Sequence, residues 1–190
     1  PSTAKGIIGT FTSQGFAWSE TLGIQALGFV SDVNKDGVEK IFHGDKDGFI
    51  YNHDTGTSFI EAGSATNIDA IYQTPDFDFG DVGTRKTLKY ARVSFSPEGA
   101  IEPSFRVRFD YENNLIPQPE PFAVTTIQLP AIFNSGVFGT MSFGATTDPM
   151  ERITLEGSGN TCSFRVFSDD QKAAYAVNGI YIDYMPAGRR

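Results

Sequence analysis

The chain has 190 residues, a formal net charge of −8 at pH 7 and 17 Phe residues. This length fits one large domain or two small ones, and so many aromatic residues exclude a disordered chain. The acidic balance argues against a protein that holds nucleic acid through its phosphates, which needs a basic face, but it permits an acidic wall along which DNA passes without sticking. The apolar runs are too short for a transmembrane helix, so no membrane partner is expected.

Gly and Pro are spread along the whole chain, and short runs of Phe, Val, Ile, Tyr and Thr lie between them. This pattern predicts an all-β protein of many short strands joined by turns. Residues 1–62 hold three such runs, joined by Asp-Gly turns, at 24–30, 38–42 and 49–51. They predict an antiparallel β-meander like one blade of a β-propeller. Because so small a meander is marginal alone, we expect it to stack on sister blades, as the last blade of a longer chain.

Residues 63–190 are predicted to form a second, larger β-domain. The candidate strands are 68–73, 87–95, 104–111, 122–129, 139–143, 151–155, 161–167 and 177–184. Apolar and polar residues alternate cleanly in several of them, 104–111 above all, so one face of each strand is buried and the other is wet. About eight such strands favour an antiparallel β-sandwich of the jelly-roll or immunoglobulin-like kind. The segment 61–64 marks the boundary between the two domains.

One candidate metal site follows the first predicted strand. Asp32, Asn34 and Asp36 place side-chain oxygens at alternate positions, and Gly37 occupies the sixth position, as in a Ca²⁺-binding loop. The twelfth position is His43, however, and not a closing carboxylate. The alternative is that Asp, Asn and Gly simply form a tight turn. A Ca²⁺ ion at this loop is the one cofactor that the sequence suggests.

No residue is predicted to be catalytic, and the chain is not expected to be an enzyme. His43 and His53 have no obvious partners and are expected at the surface or at a strand end. Asp76 and Asp78 could form the carboxylate pair of a glycan-cleaving enzyme, but a solvated turn explains them better. Cys162 lies in an apolar strand and is expected to be a small buried side chain, not a nucleophile.

Basic residues cluster at four positions of the second domain: Arg85, Lys86, Arg106 and Arg108. Alternate Arg residues on one strand indicate a cationic sheet surface. In an acidic chain such a surface is predicted to meet an acidic face of a neighbouring subunit. Contact with DNA and a plain solvated face are the alternatives.

Three stretches of the sequence carry a family resemblance: 41–57 (IFHGDKDGFIYNHDTGT), 72–89 (YQTPDFDFGDVGTRKTLK) and the ending 181–190 (YIDYMPAGRR). Their order resembles the C-terminal part of virion structural proteins of tailed bacteriophages, and in particular of the tail nozzle (tail tubular) proteins of short-tailed phages. The resemblance implies a β-propeller combined with β-sandwich elements. It also implies assembly as a homo-oligomeric ring below the adaptor and portal proteins, with DNA passing through the lumen.

The resemblance leads to the expectation of a structural ring component in the phage tail of the virion, assembled in the cytoplasm of the bacterial host. Its partners would be copies of itself, neighbouring tail, adaptor or portal proteins, and transiently passing DNA. The alternative is a carbohydrate- or receptor-binding β-sandwich module stabilised by Ca²⁺ at the Asp32 loop.

Overall fold

The computed structural model describes residues 5–13, 15–61, 63–124 and 150–189. It confirms the all-β fold class, since no α-helix occurs among these residues. No helix in this part of the chain is long and apolar enough to cross a membrane. The chain divides into two compact units: unit 1 comprises Pro1–Gly56 and Ile60–Ala65, and unit 2 comprises Thr57–Phe59 and Thr66–Arg190.

Unit 1 contains a hairpin and a three-stranded meander. Strands β1 (Lys5–Thr12) and β2 (Gly15–Leu22) form the hairpin, and β3 (Gly28–Val33), β4 (Glu39–Gly44) and β5 (Ile50–Asn52) pair in that order as the meander. A further hairpin of β6 (Phe59–Glu61) and β7 (Ser64–Thr66) follows, and its residues are divided between the units. The predicted boundary segment 61–64 lies at the turn of this hairpin.

The prediction for the first strand of the meander was four residues too early. It began at residue 24 and assigned 31–37 to a turn, whereas β3 begins at Gly28 and includes Ser31, Asp32 and Val33. These three residues pair with residues of β4, so the polar side chains of Ser31 and Asp32 lie on a strand and the turn begins only at Asn34. The β1–β2 hairpin was not predicted at all.

In its described residues, unit 2 contains two antiparallel sheets. Its strands are β8 (Ile68–Gln73), β9 (Thr84–Pro97), β10 (Ser104–Phe109), β11 (Phe122–Ala123), β12 (Met150–Thr154), β13 (Ser158–Gly159), β14 (Cys162–Asp170) and β15 (Tyr175–Arg189). The first sheet has the order β11-β10-β14-β8, and in the second sheet β9 pairs with β12, β13 and β15. The predicted strand 139–143 and most of 122–129 lie outside the described residues.

Both sheets contribute to one hydrophobic core. Leu88, Val93 and Phe95 enter it from β9, and Phe105 and Phe109 enter it from β10. The predicted alternation along β10 is confirmed, since Phe105, Val107 and Phe109 are buried and the Arg residues between them are not. Burial of each large apolar side chain contributes about 1.5–3 kcal/mol, so this core holds unit 2 together.

Strand β10 ends two residues before its predicted end. Asp110, Tyr111 and Glu112 adopt left-handed backbone angles, with φ of +49°, +59° and +57°, and so leave the sheet. The Asp110 Oδ1 atom accepts hydrogen bonds from the backbone N–H groups of Asn160 and Thr161, at 2.7 and 3.0 Å. These bonds stabilise a conformation that is rare for residues other than glycine.

Candidate functional site

The candidate Ca²⁺ loop forms the turn between β3 and β4. The Asn34 Oδ1 atom accepts hydrogen bonds from the backbone N–H groups of Asp36 and Val38, both at 2.9 Å. Asp32 Oδ1 accepts one from Val33 N–H at 2.7 Å. Gly37 has a φ of +78°, as a three-residue hairpin loop requires of its last residue. The Asn34 oxygen therefore serves the turn itself.

The turn between β4 and β5 repeats this geometry. Asp45 Oδ1 accepts hydrogen bonds from the N–H groups of Asp47 and Phe49 at 2.9 Å, and Gly48 has a φ of +87°. Turn formation alone thus explains the same Asx-Lys-Asp-Gly pattern twice. Among the described residues, no three His, Cys, Asp or Glu side chains are grouped so that they could hold a metal ion. Ca²⁺ binding at Asp32 stays a prediction.

The two histidines form a cluster on the meander, which the sequence reasoning missed. His43 is buried in β4, and its Nδ1 atom lies 2.6 Å from Nε2 of His53. The His43 ring stacks on Tyr51 with 4.8 Å between ring centroids, and Tyr51 donates its hydroxyl hydrogen to Asp45. The expected strand-end position of His43 is confirmed, because β4 ends at Gly44, but its burial and its contact with His53 were not expected. The register could have indicated the cluster, because His43 and Tyr51 face each other in neighbouring strands.

The surroundings of His43 favour its neutral form. Burial lowers the pKa of His43, and charge repulsion from His53 lowers it further, while the carboxylate of Asp45 opposes both effects. One ring must donate and the other accept for the short nitrogen–nitrogen contact to be a hydrogen bond. The pair can therefore share a proton, but two full charges at this distance would repel.

Two of the four predicted basic contact residues are engaged within unit 2. Lys86 is buried, and its ammonium group donates to the backbone oxygens of Asp81 and Asn160. Arg85 donates to both the hydroxyl and the backbone oxygen of Ser158, at 2.8 and 2.9 Å. Lys86 therefore adds no charge to the exposed surface, because its side chain is buried and donates to backbone oxygens of unit 2.

Arg106 and Arg108 lie on the solvent-facing side of the first sheet. Their side chains are 30% and 17% exposed, and both approach the carboxylate of Glu112, Arg106 at 3.8 Å. Arg165 of β14 lies directly opposite Arg106 and was not predicted. The alternation along β14 could have indicated it, because Arg165 is the polar residue between the buried Phe164 and Val166.

The meander carries apolar side chains on both of its faces. Residues directly opposite each other in the register share a face, so Phe29 and Val33 lie on one face and Val30 and Ile50 on the other. All four side chains are more than 60% exposed. A sheet in water normally has one apolar face only, and an exposed apolar patch marks an interaction surface.

The β1–β2 hairpin adds an aromatic face. Phe11, Phe16 and Trp18 lie on one side of it, with ring centroids 4.7 Å apart between the two Phe residues and 4.5 Å apart between Phe16 and Trp18. The rings lie over Gly9, where a Cβ atom would come within 2.2 Å of Phe16. Phe11 and Trp18 are 88% and 70% exposed. A two-stranded hairpin is marginal in water, so this face also indicates a contact surface.

Unit 2 contains a cleft of about 360 Å³ between the edge strands β8 and β15. Its lining is aromatic and aliphatic with two polar residues: Tyr72, Thr74, Phe77, Phe79, Phe164, Val177, Asn178, Gly179, Ile180 and Ile182. Tyr72 and Phe77 are about half exposed. The volume and the lining fit a small ligand or the apolar side chain of a partner.

Asp76, Asp78 and Cys162 are the remaining residues that were considered as catalytic groups. Asp78 Oδ1 accepts a hydrogen bond from the Gly80 N–H at 2.9 Å within a turn, whereas Asp76 Oδ1 is buried without a hydrogen-bond partner. Cys162 is buried, as predicted, and the pKa of its thiol is raised to about 12 by burial and then by Asp76. A thiol with so high a pKa is a poor nucleophile.

The comparisons with family models and with curated proteins identify no relative. No model of a known protein family matches the chain, and a search of curated proteins finds no significant match. The structure itself defines the class of the protein, which is all-β with two compact units. The resemblance to phage tail proteins stays a prediction.

Proposed function

We propose that the chain is a structural component of a bacteriophage tail or connector ring, similar to a tail nozzle protein, that forms part of the DNA-delivery channel. The observation that carries the proposal is the meander of unit 1, with exposed apolar residues on both faces, such as Phe29 on one and Ile50 on the other. A sheet of this kind is stable when it is covered on both sides, as blades are in a β-propeller.

Unit 2 supports the same proposal as a scaffold. Its two sheets share one core, which agrees with a β-sandwich of the jelly-roll or immunoglobulin-like kind. A ring component needs such rigid structure and large contact surfaces more than a catalytic pocket. The partly exposed Arg106 and Arg108 are the candidates for contact with a neighbouring subunit.

The net charge and the burial of Lys86 affect how a channel built from this protein would interact with DNA. The net charge is −8, and Lys86, one of the four predicted contact residues, is buried. A surface of this kind does not hold DNA by its phosphates, so DNA would pass without being retained. In this proposal the protein resides in the phage tail and contacts the adaptor, portal or other tail proteins.

The test is the mass and shape of the assembly. Light scattering and negative-stain electron microscopy are applied to the 190-residue chain and, where the natural protein is longer, to that protein as well. Closed rings of several copies are expected in at least one of these forms. A strict monomer at high concentration in every form would overturn the ring proposal.

A binding module is the second candidate, and the cleft between β8 and β15 favours it. Tyr72 and Phe77 offer half-exposed aromatic rings, and Asn178 adds a side-chain amide. Aromatic platforms beside amide groups suit sugar rings, so the ligand would be a carbohydrate of a host receptor.

The test of this candidate is a screen for oligosaccharide binding, followed by calorimetric titration of any ligand found. Phe77→Ala is expected to weaken binding at least tenfold. Tyr181→Ala is the matched control, because Tyr181 is 59% exposed and does not line the cleft. Equal effects of the two substitutions, or no binding at all, would exclude the cleft as a carbohydrate site.

A further inference from the structure

The solvent-facing side of the first sheet has an ordered charge pattern. We call this side the outer face and define it by the outward residues of three strands: Asp69, Ile71 and Gln73 on β8, Asp169, Phe167 and Arg165 on β14, and Ser104, Arg106 and Arg108 on β10. The register places Asp69 opposite Asp169, Ile71 opposite Phe167, and Arg165 between Gln73 and Arg106. Three rows therefore run across the strands: an acidic row of Asp69 and Asp169, an apolar row of Ile71 and Phe167, and a basic row of Arg165 and Arg106.

The two charged rows are unfavourable in the single chain. Like charges directly opposite each other on neighbouring strands destabilise a sheet. Within the described residues, Asp69, Asp169 and Arg165 form no salt bridge, and Arg106 has only a long one of 3.8 Å to Glu112. The Nε atoms of Arg106 and Arg165 are also buried without a hydrogen-bond partner. Neutralisation by a surface of opposite charge would relieve both rows.

The charge pattern of the outer face is complementary to the same pattern on a second copy of the chain. Along β14, Asp169 and Arg165 lie two residues on either side of Phe167, and along β8, Asp69 and Gln73 lie two residues on either side of Ile71. A two-fold axis through the apolar row would thus bring the acidic row of one copy onto the basic row of the other. We propose that the outer face is the contact surface through which two copies of this chain pair, with Asp169 of each copy next to Arg165 of the other.

The apolar row supports the same occupant. Ile71 is 50% exposed and lies at the centre of the outer face with Phe167, where the axis would pass. Isologous contacts place each residue near its own counterpart at the axis, so apolar residues belong there and charges belong at the two ends. The pairing also gives the basic row an acidic partner in a chain whose net charge is −8.

The size of the outer face sets the expected affinity. The acidic and basic rows are about 13 Å apart, because four residues of a strand span that length. An interface of this width is at the small end of the specific range, so we expect a dissociation constant in the micromolar range. The attraction between the charged rows weakens as salt screens it. A two-fold contact pairs copies and does not close a head-to-tail ring, so the inference stands apart from the ring contacts of the proposed function, and the neighbouring subunit that Arg106 and Arg108 would meet is the two-fold partner.

The test is sedimentation equilibrium of the chain over a range of protein concentrations at low and high salt. Wild type is expected to dimerise, with dimerisation weakened at least tenfold between about 0.05 M and about 0.5 M salt. Asp169→Arg alone and Arg165→Asp alone are each expected to weaken dimerisation at least tenfold, because each places like charges across the axis. Arg92→Asp is the matched control, since it reverses a charge on the second sheet, and it is expected to leave dimerisation unchanged.

Mixing the two variants makes the test specific to the two-fold geometry. The Asp169→Arg chain carries a basic outer face and the Arg165→Asp chain an acidic one, so a mixture is expected to form heterodimers more tightly than either variant forms homodimers. Circular dichroism of each variant checks that it is folded. A wild type that stays monomeric at low salt, or folded variants that show neither weakened homodimers nor heterodimers, would overturn the inference.

Discussion

Unit 1 and unit 2 differ in where their apolar side chains lie. Every buried hydrophobic residue of the described chain belongs to unit 2, whereas His43 is the sole buried residue described in unit 1. The large apolar side chains of unit 1, such as Phe11, Trp18 and Phe29, are mostly exposed. Both units consist of hydrogen-bonded antiparallel strands, so backbone hydrogen bonding does not distinguish them. The comparison teaches that unit 2 has its own core, whereas the large apolar side chains of unit 1 form none among the described residues.

The largest expected change in the free energy of unfolding comes from truncating a core side chain of unit 2, and it is compared with truncation of an exposed side chain of unit 1. Phe105→Ala in unit 2 should destabilise the fold by about 3–5 kcal/mol, because it leaves a cavity in a core that cannot collapse fully. Val30→Ala in unit 1 should change the free energy of unfolding of the isolated chain by less than about 0.5 kcal/mol, because Val30 is 61% exposed. Chemical denaturation of both variants measures the two values. Similar losses would show that unit 1 already has a core of its own in the isolated chain.

A second prediction concerns the aromatic face of the β1–β2 hairpin. Gly9→Val should displace the Phe16 ring, because a Cβ atom would lie 2.2 Å from its Cζ atom, and should cost about 1–2 kcal/mol of hairpin stability. Trp18 is the single Trp of the chain, so the Trp band at the long-wavelength edge of the near-ultraviolet circular dichroism spectrum, beyond the Tyr and Phe bands, reports on this hairpin. The Trp signal should weaken in Gly9→Val and persist in Gly28→Ala, where a Cβ atom meets nothing within 4 Å. An unchanged signal in Gly9→Val would contradict the ring packing.

A third prediction concerns the first turn of the meander, which is the candidate Ca²⁺ loop. Asn34→Ala should cost about 1 kcal/mol, since it removes an acceptor of two backbone hydrogen bonds, whereas Asn34→Asp keeps the acceptor and should cost less. If the loop serves only as a turn, a chelator should leave the melting temperature of wild type unchanged. A lower melting temperature with chelator, abolished in Asp36→Asn, would establish Ca²⁺ binding at Asp32, Asn34 and Asp36.

The sequence predicted the fold class and the strands with strict alternation. The strand predicted at 104–111 begins at the predicted residue and alternates as predicted, because its apolar residues all face one core. The β1–β2 hairpin was missed, although Gly9 and Phe11 alternate with Thr10 and Thr12, because its aromatic face is largely exposed and belongs to no core among the described residues. The end of β10 was also missed, since the left-handed turn at 110–112 depends on bonds from Asp110 to residues 50 positions away.

The candidate sites were less predictable than the fold for a physical reason. Arg106 and Arg108 were found because their period along one strand is visible in the sequence, but Arg165 joins them only through the pairing of β10 with β14. Lys86 has the same charge and a similar sequence context, yet it is buried and bonded to two backbone oxygens. Which basic residues share a surface is thus decided by strand pairing over long sequence separations.

The smallest expected effect is a pH dependence confined to unit 1. The pKa of His43 is lower in the folded chain than its usual value near 6.5, chiefly because of burial and then because of His53. Between these two pKa values the unfolded chain binds more protons, so the stability of unit 1 is full above about pH 7 and falls as the pH is lowered through 6.5. Asp45 partly offsets the shift, which keeps the effect small.

Hydrogen exchange of amides in β4 and β5 measures this effect in the intact chain, once the intrinsic pH dependence of exchange is subtracted. Protection should decrease on acidification from pH 7 to about pH 5.5, while protection in β10 and β14 of unit 2 should stay constant, since no histidine lies in that unit. His53→Gln should reduce the pH dependence, because it removes the second imidazole but retains a side chain able to donate to His43. If protection fell equally in both units, the acid sensitivity would belong to the whole chain, and the meander would not be the separately stabilised part that its exposed apolar faces indicate.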